Sequence, residues 1–220
     1  MKENWKYYHE IGHGIIAHIF DGYLMEFKYV TFELNGEIFN SRDKGYTYSS
    51  PLANINKIIQ EDIQKAVLVD GLYLLSGIIG ATYLGPGREN SNLDVNPENF
   101  HEILNIQGSD GDFEIIKRGN RAYGWYLNEL KFSNKNKINL HCKLFNILIK
   151  LFIKPEIQAG IESLFSKLMY SKTLYPADFQ EVFDLIFTEM IKSELIDMLS
   201  VDSFGDIINL NYDKTSYKIQ

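Results

Sequence analysis

The sequence predicts a mainly α-helical fold with a small β-sheet, the class called α+β. Apolar residues recur at helical spacing near the N-terminus and again through the second half of the chain. Between these regions, residues 27–34 and 45–48 are rich in β-branched and aromatic side chains, as strands are. We therefore expect a first helix, then short strands, then a helical bundle, all within a single domain of residues 1–220.

The first elements are bounded by turn-forming residues. A helix is predicted over residues 3–20, because the Asp-Gly pair at 21–22 is a helix-ending turn. A strand is predicted over residues 27–34, and Asn35-Gly36 is a typical hairpin turn after it.

A second strand is expected around residues 45–48, before Pro51, and a long apolar helix over residues 56–84. The later part of that helix is about long enough to span a bilayer. However, Asp70 lies inside it and no Lys/Arg cluster flanks it. We therefore expect a buried core helix, ended by the Gly-Pro-Gly sequence at 85–87.

The second half of the chain predicts a polar loop and then a bundle. Residues 88–107 are loop-like, with a short helix after Pro97, and a helix with Ser109 as its N-cap is expected over residues 109–132. The bundle then occupies about residues 136–200, and no structure is predicted for the tail, 201–220. Its expected core-facing residues are Leu140, Leu144, Ile147, Leu148, Leu151, Ile157, Ile161, Leu164, Leu168, Phe179, Val182, Phe183, Ile186 and Met190.

Composition excludes several classes of function. The net charge of −7 argues against nucleic acid or an anionic membrane surface as the main partner. Cys142 is the only cysteine, so neither an intrachain disulfide nor a cysteine-rich zinc site can form. No secretory signal is apparent, and a cytoplasmic location is the simplest prediction.

The most informative motif is His9-Glu10-Ile11-Gly12-His13, an HExxH sequence on the first predicted helix. Residues four apart lie on one face of a helix, so His9 and His13 can bind one zinc ion, with Glu10 as general base. The alternative is a pair of surface histidines that flank a glutamate. The apolar setting argues against it, because unpaired polar groups are costly there. The apolar residues are Ile11, Ile15, Ile16, Ile19 and Phe20.

A catalytic zinc needs a third protein ligand, and the residues alone leave it open. A metzincin would place a histidine six residues after His13, where this chain has Ile19, and His18 is one position out. A thermolysin-like enzyme would use a glutamate a few tens of residues later, and Glu61 is available for that role.

Residues 8–17, Y-H-E-I-G-H-G-I-I-A, resemble the active-site helix of the FtsH-type ATP-dependent zinc metalloproteases. Weaker similarities follow in the same order along the chain, to about residue 185. Residues 28–32 resemble the family's K-V-T-I strand, and residues 44–47 resemble its L-G-Y-T segment. Residues 75–85 resemble its L-A-G-R-A-A-E-E-L-x-F-G helix, residues 108–113 its G-A-x-N-D-L segment, and residues 164–182 its closing helices.

The resemblance implies that His9, His13 and Asp112 are the metal ligands and that Glu10 is the base. Asp110 competes with Asp112 for the third position. An acidic residue there would also suit the first turn of a helix that Ser109 caps. His101 and His141 are expected to be ordinary polar residues, and His18 to lie at the surface or beside the ligands.

The resemblance also has departures. The family's acidic pair is Thr82-Tyr83 here and its arginine is Ile78, which leaves homo-oligomerisation open. No G-x-x-x-x-G-K-[ST] phosphate loop occurs, so the family's ATPase module is missing from this sequence.

We therefore expect a zinc metalloendopeptidase with one zinc per chain and a catalytic core of about residues 1–135. Its substrates would be peptides or unfolded protein segments, cleaved without ATP unless a separate ATPase acts in trans. Two alternatives remain open. One is a zinc-containing binding or adaptor module without turnover, and the other is a metallohydrolase acting on a non-peptide amide.

Overall fold

A computed structural model describes residues 4–34, 37–38, 46–51, 60–83, 95–104, 109–119, 121–129 and 132–200. These residues form helices over most of their length and five short strands, which confirms the predicted fold class. The expected Asn35-Gly36 turn, the helix end at 85–87 and the tail, 201–220, lie outside the described residues.

In chain order the elements are α1 (Trp5–Ile19), β1 (Met25–Thr31), β2 (Glu33–Leu34), β3 (Glu37–Ile38), β4 (Tyr46–Pro51), α2 (Gln60–Tyr83), α3 (Phe100–Leu104), α4 (Ser109–Arg118), α5 (Ala122–Glu129), α6 (Asn134–Phe152), α7 (Pro155–Ser171), β5 (Thr173–Leu174), α8 (Pro176–Val182) and α9 (Leu185–Met198).

The centre of the fold is the close packing of α1 against α2. Every α1 side chain from Tyr8 to Ile19 is buried, so this helix belongs to the core. Glycines let the two backbones touch: a Cβ on Gly12 would lie 2.4 Å from the Ser76 carbonyl oxygen. A Cβ on Gly80 would lie 2.2 Å from the carbonyl oxygen of Tyr8. Larger residues at either position would separate the helices.

The sheet lies beside α1 and has the order β4-β1-β5, with both pairs antiparallel. Met25 and Phe27 are buried and alternate with the exposed Glu26 and Lys28. This alternation is what a strand with one covered face produces. After a register irregularity between Phe27 and Tyr29, the strand also buries Val30. Strands β2 and β3 form a separate antiparallel pair in which Leu34 faces Glu37.

The helix α2 was expected to be a buried core helix, and it is. Its residues from Val67 to Ala81 are buried. No helix in the described ranges is sufficiently long and apolar to cross a membrane.

The predicted single helix over residues 109–132 is wrong. The chain leaves α4 after Arg118, because Gly119 adopts a left-handed conformation with φ of +70°. A new helix, α5, then begins at Ala122. Glycine ends helices in this way because it has no Cβ to clash in the left-handed region.

The bundle is mostly as predicted, but Ile186 and Met190 do not face the core. Their exposed fractions are 84% and 55%. The helical spacing is interrupted because α8 ends before Phe183, and Asp184 caps a new helix by accepting a hydrogen bond from the Phe187 N–H. The helix α9 consequently buries a different face, with Thr188, Ile191 and Leu195.

Candidate metal centre

Three side chains from two distant parts of the sequence meet beside the crossing of α1 and α2. The Nε2 atoms of His9 and His13 are 3.2 Å apart. Asp112 Oδ2 lies 3.5 Å from His9 Nε2, and Asp112 Oδ1 lies 3.5 Å from His13 Nε2. All three residues are buried. Among the described residues, these three form the cluster of His, Cys, Asp or Glu side chains that could hold a metal ion.

The spacing of these atoms fits a tetrahedral ion. Zn–N and Zn–O bonds of about 2.0–2.2 Å place neighbouring ligand atoms of a tetrahedron roughly 3.3–3.6 Å apart. The two Nε2 atoms are 3.2 Å apart, close to that range, and each lies 3.5 Å from a different oxygen of the Asp112 carboxylate. One donor atom from each of the three residues lies within 4.8 Å of the other two. In addition, Asp112 Oδ2 is buried without a hydrogen-bond partner, which is costly for a carboxylate oxygen. A bound cation would remove that cost.

The protein orients His13 through its other ring nitrogen. His13 Nδ1 lies 2.7 Å from the Tyr73 carbonyl oxygen, and because a carbonyl only accepts, Nδ1 must donate. This places the free electron pair of the neutral ring on Nε2, which faces His9 and Asp112. Hydrogen bonds of this kind fix the tautomer and the ring orientation of metal-binding histidines.

Gly77 of α2 makes room for both imidazoles. A Cβ at this position would lie 2.3 Å from His13 Nε2 and 2.8 Å from His9 Cε1. Real Cβ atoms essentially never approach other heavy atoms so closely. The two rings therefore lie directly over a backbone surface that only glycine provides.

Asp112 comes from the first turn of α4, which packs against α2 and α5. The structure thus brings together the three residues that the resemblance implied. The side chains of two competitors, Asp110 and Glu61, lie outside the described residues.

The two histidines have opposite pKa shifts. Burial lowers the pKa of His9, and the neighbouring charge on His13 lowers it further. Burial also lowers the pKa of His13, but Asp112 and smaller contributions from Glu10 and Tyr73 outweigh it, so the pKa is raised overall. A bound cation favours the unprotonated Nε2 of both rings, because a ligand imidazole must offer a free electron pair.

Glu10 is buried beside these ligands, with an exposed fraction of 9%. Its carboxylate raises the pKa of both His9 and His13, so it lies within electrostatic range of the two rings. This is the position that the HExxH spacing predicts for a residue that acts next to the ligands without being one of them.

Sequence reasoning missed a buried ion pair behind the site. Asp70 Oδ1 accepts from Arg121 Nε at 2.7 Å, and Asp70 Oδ2 accepts from the Tyr123 N–H at 3.0 Å. The Arg121 guanidinium carbon lies 4.4 Å from the centre of the Tyr73 ring. The pair therefore supports the residue whose carbonyl orients His13. Asp70 was the available signal, because a charge within an apolar run requires a buried partner.

The remaining histidines lie apart from this cluster. His101 is exposed and its Nδ1 bonds to the Glu98 carbonyl. His141 is buried, bonds to the Tyr123 hydroxyl at 2.9 Å, and has its pKa lowered to about 4 by burial. His18 was expected at the surface or beside the ligands; it is buried, so the surface location is wrong, and it lies near Asp21 and Lys192.

No protein-family model, curated protein or solved structure matches this chain. The geometry of the site and the sequence motifs are therefore the basis on which its function is proposed.

Proposed function

We propose that this protein is a zinc-dependent metallopeptidase that hydrolyses peptide bonds in peptides and unfolded protein segments. One observation carries the proposal: the two histidines of an HExxH helix meet a carboxylate from a separate helix, with the motif glutamate buried beside them. The resemblance of residues 8–17 to the FtsH-type metalloproteases supports the same reaction.

The donor set favours zinc over other ions. Two imidazole nitrogens and one carboxylate oxygen are a typical set for catalytic zinc, which keeps its fourth position open for water or substrate. Calcium and magnesium prefer sites built entirely from oxygen atoms. His9, His13 and Asp112 are the residues that would hold the ion.

A bound zinc ion supplies Lewis acidity to the scissile carbonyl and lowers the pKa of a coordinated water. Glu10 accepts a proton from the attacking water as its oxygen bonds to the carbonyl carbon. Glu10 then gives that proton to the amine nitrogen as the carbon–nitrogen bond breaks. The second proton of the water stays with the new carboxyl group, so the products are one carboxylic acid and one amine, which ionise to a carboxylate and an ammonium group at neutral pH, and the carboxylate of Glu10 is restored.

The substrate state follows from the free energy of unfolding. A peptide bond must be presented in an extended segment, and a folded domain resists opening by about 5–15 kcal/mol. The sequence contains no G-x-x-x-x-G-K-[ST] phosphate-binding loop, which an ATP-driven unfolding module would need. We therefore expect the chain by itself to cleave peptides and unfolded proteins without ATP, and to need an ATPase in trans for folded ones.

The exposed apolar residues of α9 favour a second candidate, a zinc-containing binding module without turnover. Leu185, Ile186 and Met190 have exposed fractions of 63%, 84% and 55%. Such a surface suits recruitment of another protein. A buried Glu10 has no role in that function, so the experiment that separates the two candidates is a substitution of this residue.

The test is Glu10→Gln, with exposed Glu102→Gln as the matched control. All three proteins should bind about one zinc per chain, because neither glutamate is a ligand. Wild type and Glu102→Gln should cleave an unfolded protein, whereas Glu10→Gln should not, because the amide cannot accept the proton. A chelator should abolish cleavage by both active proteins.

Two results would count against the enzyme, and a third against its proposed substrate. Absence of bound metal from a folded, zinc-supplemented sample would remove the site itself. If wild type and Glu10→Gln are equally inert, the binding module is the better description. Equal cleavage of a stable substrate and its destabilised variant by the chain alone would refute the proposed substrate state.

A further inference from the structure

A cavity opens between the end of α1 and the helices α8 and α9, apart from the metal centre. Its volume is about 250 Å³. That is room for several water molecules, and therefore for a small metabolite. None of its lining residues is a predicted metal ligand or Glu10, so its role is independent of the function proposed above.

His18 lines this cavity and is the residue that needs explaining. It is 93% buried, and neither Nδ1 nor Nε2 has a hydrogen-bond partner. Two unsatisfied ring nitrogens in a buried position are costly, because each has lost its hydrogen bonds with water. Burial lowers the pKa of His18 to about 4, so the ring is neutral at pH 7 and offers one donor and one acceptor.

Charged groups of both signs line the cavity. Asp21 and Glu189 contribute carboxylates, and Lys192 contributes an ammonium group. Lys192 Nζ donates to Glu189 Oε1 at 2.5 Å, which uses one of its three N–H groups. Asp21 Oδ1 accepts from the Phe27 N–H, and its other oxygen retains capacity. The lining thus offers binding groups for both a cation and an anion.

We propose that this cavity binds a small zwitterion with the chemistry of a free α-amino acid. The ligand's ammonium group would donate to the carboxylates of Asp21 and Glu189. Its carboxylate would accept from Lys192 and from the neutral ring of His18. Ile19 and Leu185 line the same cavity and provide an apolar surface for an aliphatic side chain.

The probe is L-leucine, titrated calorimetrically into the zinc-loaded full chain. Two truncated analogues separate the contributions: 3-methylbutylamine lacks the carboxylate, and 4-methylpentanoate lacks the ammonium group. Each should bind about tenfold or more weakly than leucine, because each loses charge-assisted hydrogen bonds. Amino acids also bind metal ions, so the titration is repeated after chelation and should give the same affinity.

Substitutions locate the binding. His18→Leu and Lys192→Met should each weaken leucine binding about tenfold or more, and the exposed His101→Leu should leave it unchanged. Should His18→Leu fail to fold, Glu189→Gln carries the test, because its side chain is 56% exposed and the substitution is nearly isosteric.

Four results would overturn the assignment. Leucine that shows no saturable binding would mean that the cavity holds only water. Equally tight binding of 3-methylbutylamine would show that the carboxylate is not recognised. Loss of binding after chelation would place leucine on the metal. Undiminished binding by folded Lys192→Met and Glu189→Gln proteins would place it elsewhere on the chain.

Discussion

Replacement of Gly77 by alanine tests the geometry of the metal centre without changing a ligand. The new methyl group would lie 2.3 Å from His13 Nε2 and 2.8 Å from His9 Cε1, whereas ordinary contacts begin at 3.4 Å. The His13 ring must therefore move by about an ångström. Both rings belong to α1, which is buried and cannot shift easily. The movement therefore has to displace the imidazoles relative to Asp112.

The expected effect on zinc is much larger than the effect on folding. Ligand distances in metal sites match their ideal values within about 0.2 Å, so we expect the affinity for zinc to fall by about tenfold to a hundredfold. For the metal-free protein, alanine gains about 0.5–1 kcal/mol over glycine within a helix, and overpacking costs about 1–3 kcal/mol. The free energy of unfolding should therefore fall by no more than about 2.5 kcal/mol.

The assay is competition for zinc against a chromogenic chelator, together with urea unfolding of the metal-free protein followed by circular dichroism. Gly111→Ala is the matched control. It also replaces a helical glycine, directly before Asp112 in the sequence, but its Cβ would meet nothing within 4 Å. This control should keep the wild-type affinity for zinc and gain about 0.5–1 kcal/mol in stability.

The reasoning would be refuted if Gly77→Ala and Gly111→Ala bound zinc equally well while both remained folded. The two imidazoles would then not lie over Gly77, or would not hold the metal.

Three further predictions concern stability. Asp70→Ala should lower the free energy of unfolding by about 3–5 kcal/mol in urea titrations, because it leaves the Arg121 charge buried without its partner; a loss below about 1 kcal/mol would contradict that role. His141 has a folded-state pKa of about 4 against an ordinary value of 6.5, so the unfolded state binds more protons between these values. The contribution of His141 to stability should be complete above pH 6.5 and decrease by about 3 kcal/mol as the pH falls to 4. His18 has the same pKa shift, so His141→Gln should remove about half of the combined decrease in melts across the pH range. Ser133→Ala should cost about 1 kcal/mol in thermal unfolding, because its hydroxyl caps α6 by accepting from the Asn136 N–H, and an unchanged melting temperature would refute this.

Patterns within one element were the part of the fold that could be predicted without coordinates. The helical spacing of apolar residues identified α1, α2, α6 and α7, and the turn residues placed the strands between them. The failures occurred where one helix ends and another begins. Gly119 was an available stop signal that the prediction of one helix over residues 109–132 passed over. The break at Phe183 carries no glycine, and helical periodicity continues across it in the sequence although the helix axis does not.

The sequence by itself determined the local half of the candidate site. His9, Glu10 and His13 lie within one turn of helix, where the backbone geometry alone sets their relative positions. The resemblance implied Asp112 as the third ligand, but spacing left Asp110 and Glu61 open, and the tertiary structure showed which carboxylate faces the histidines. Asp112 is 99 positions beyond His13 in the sequence, and it reaches the histidines because α4 packs against α2. The Asp70–Arg121 ion pair, the space over Gly77 and the unsatisfied nitrogens of His18 likewise arise from packing between elements. Each depends on distances across the core, and no spacing along the chain encodes those distances.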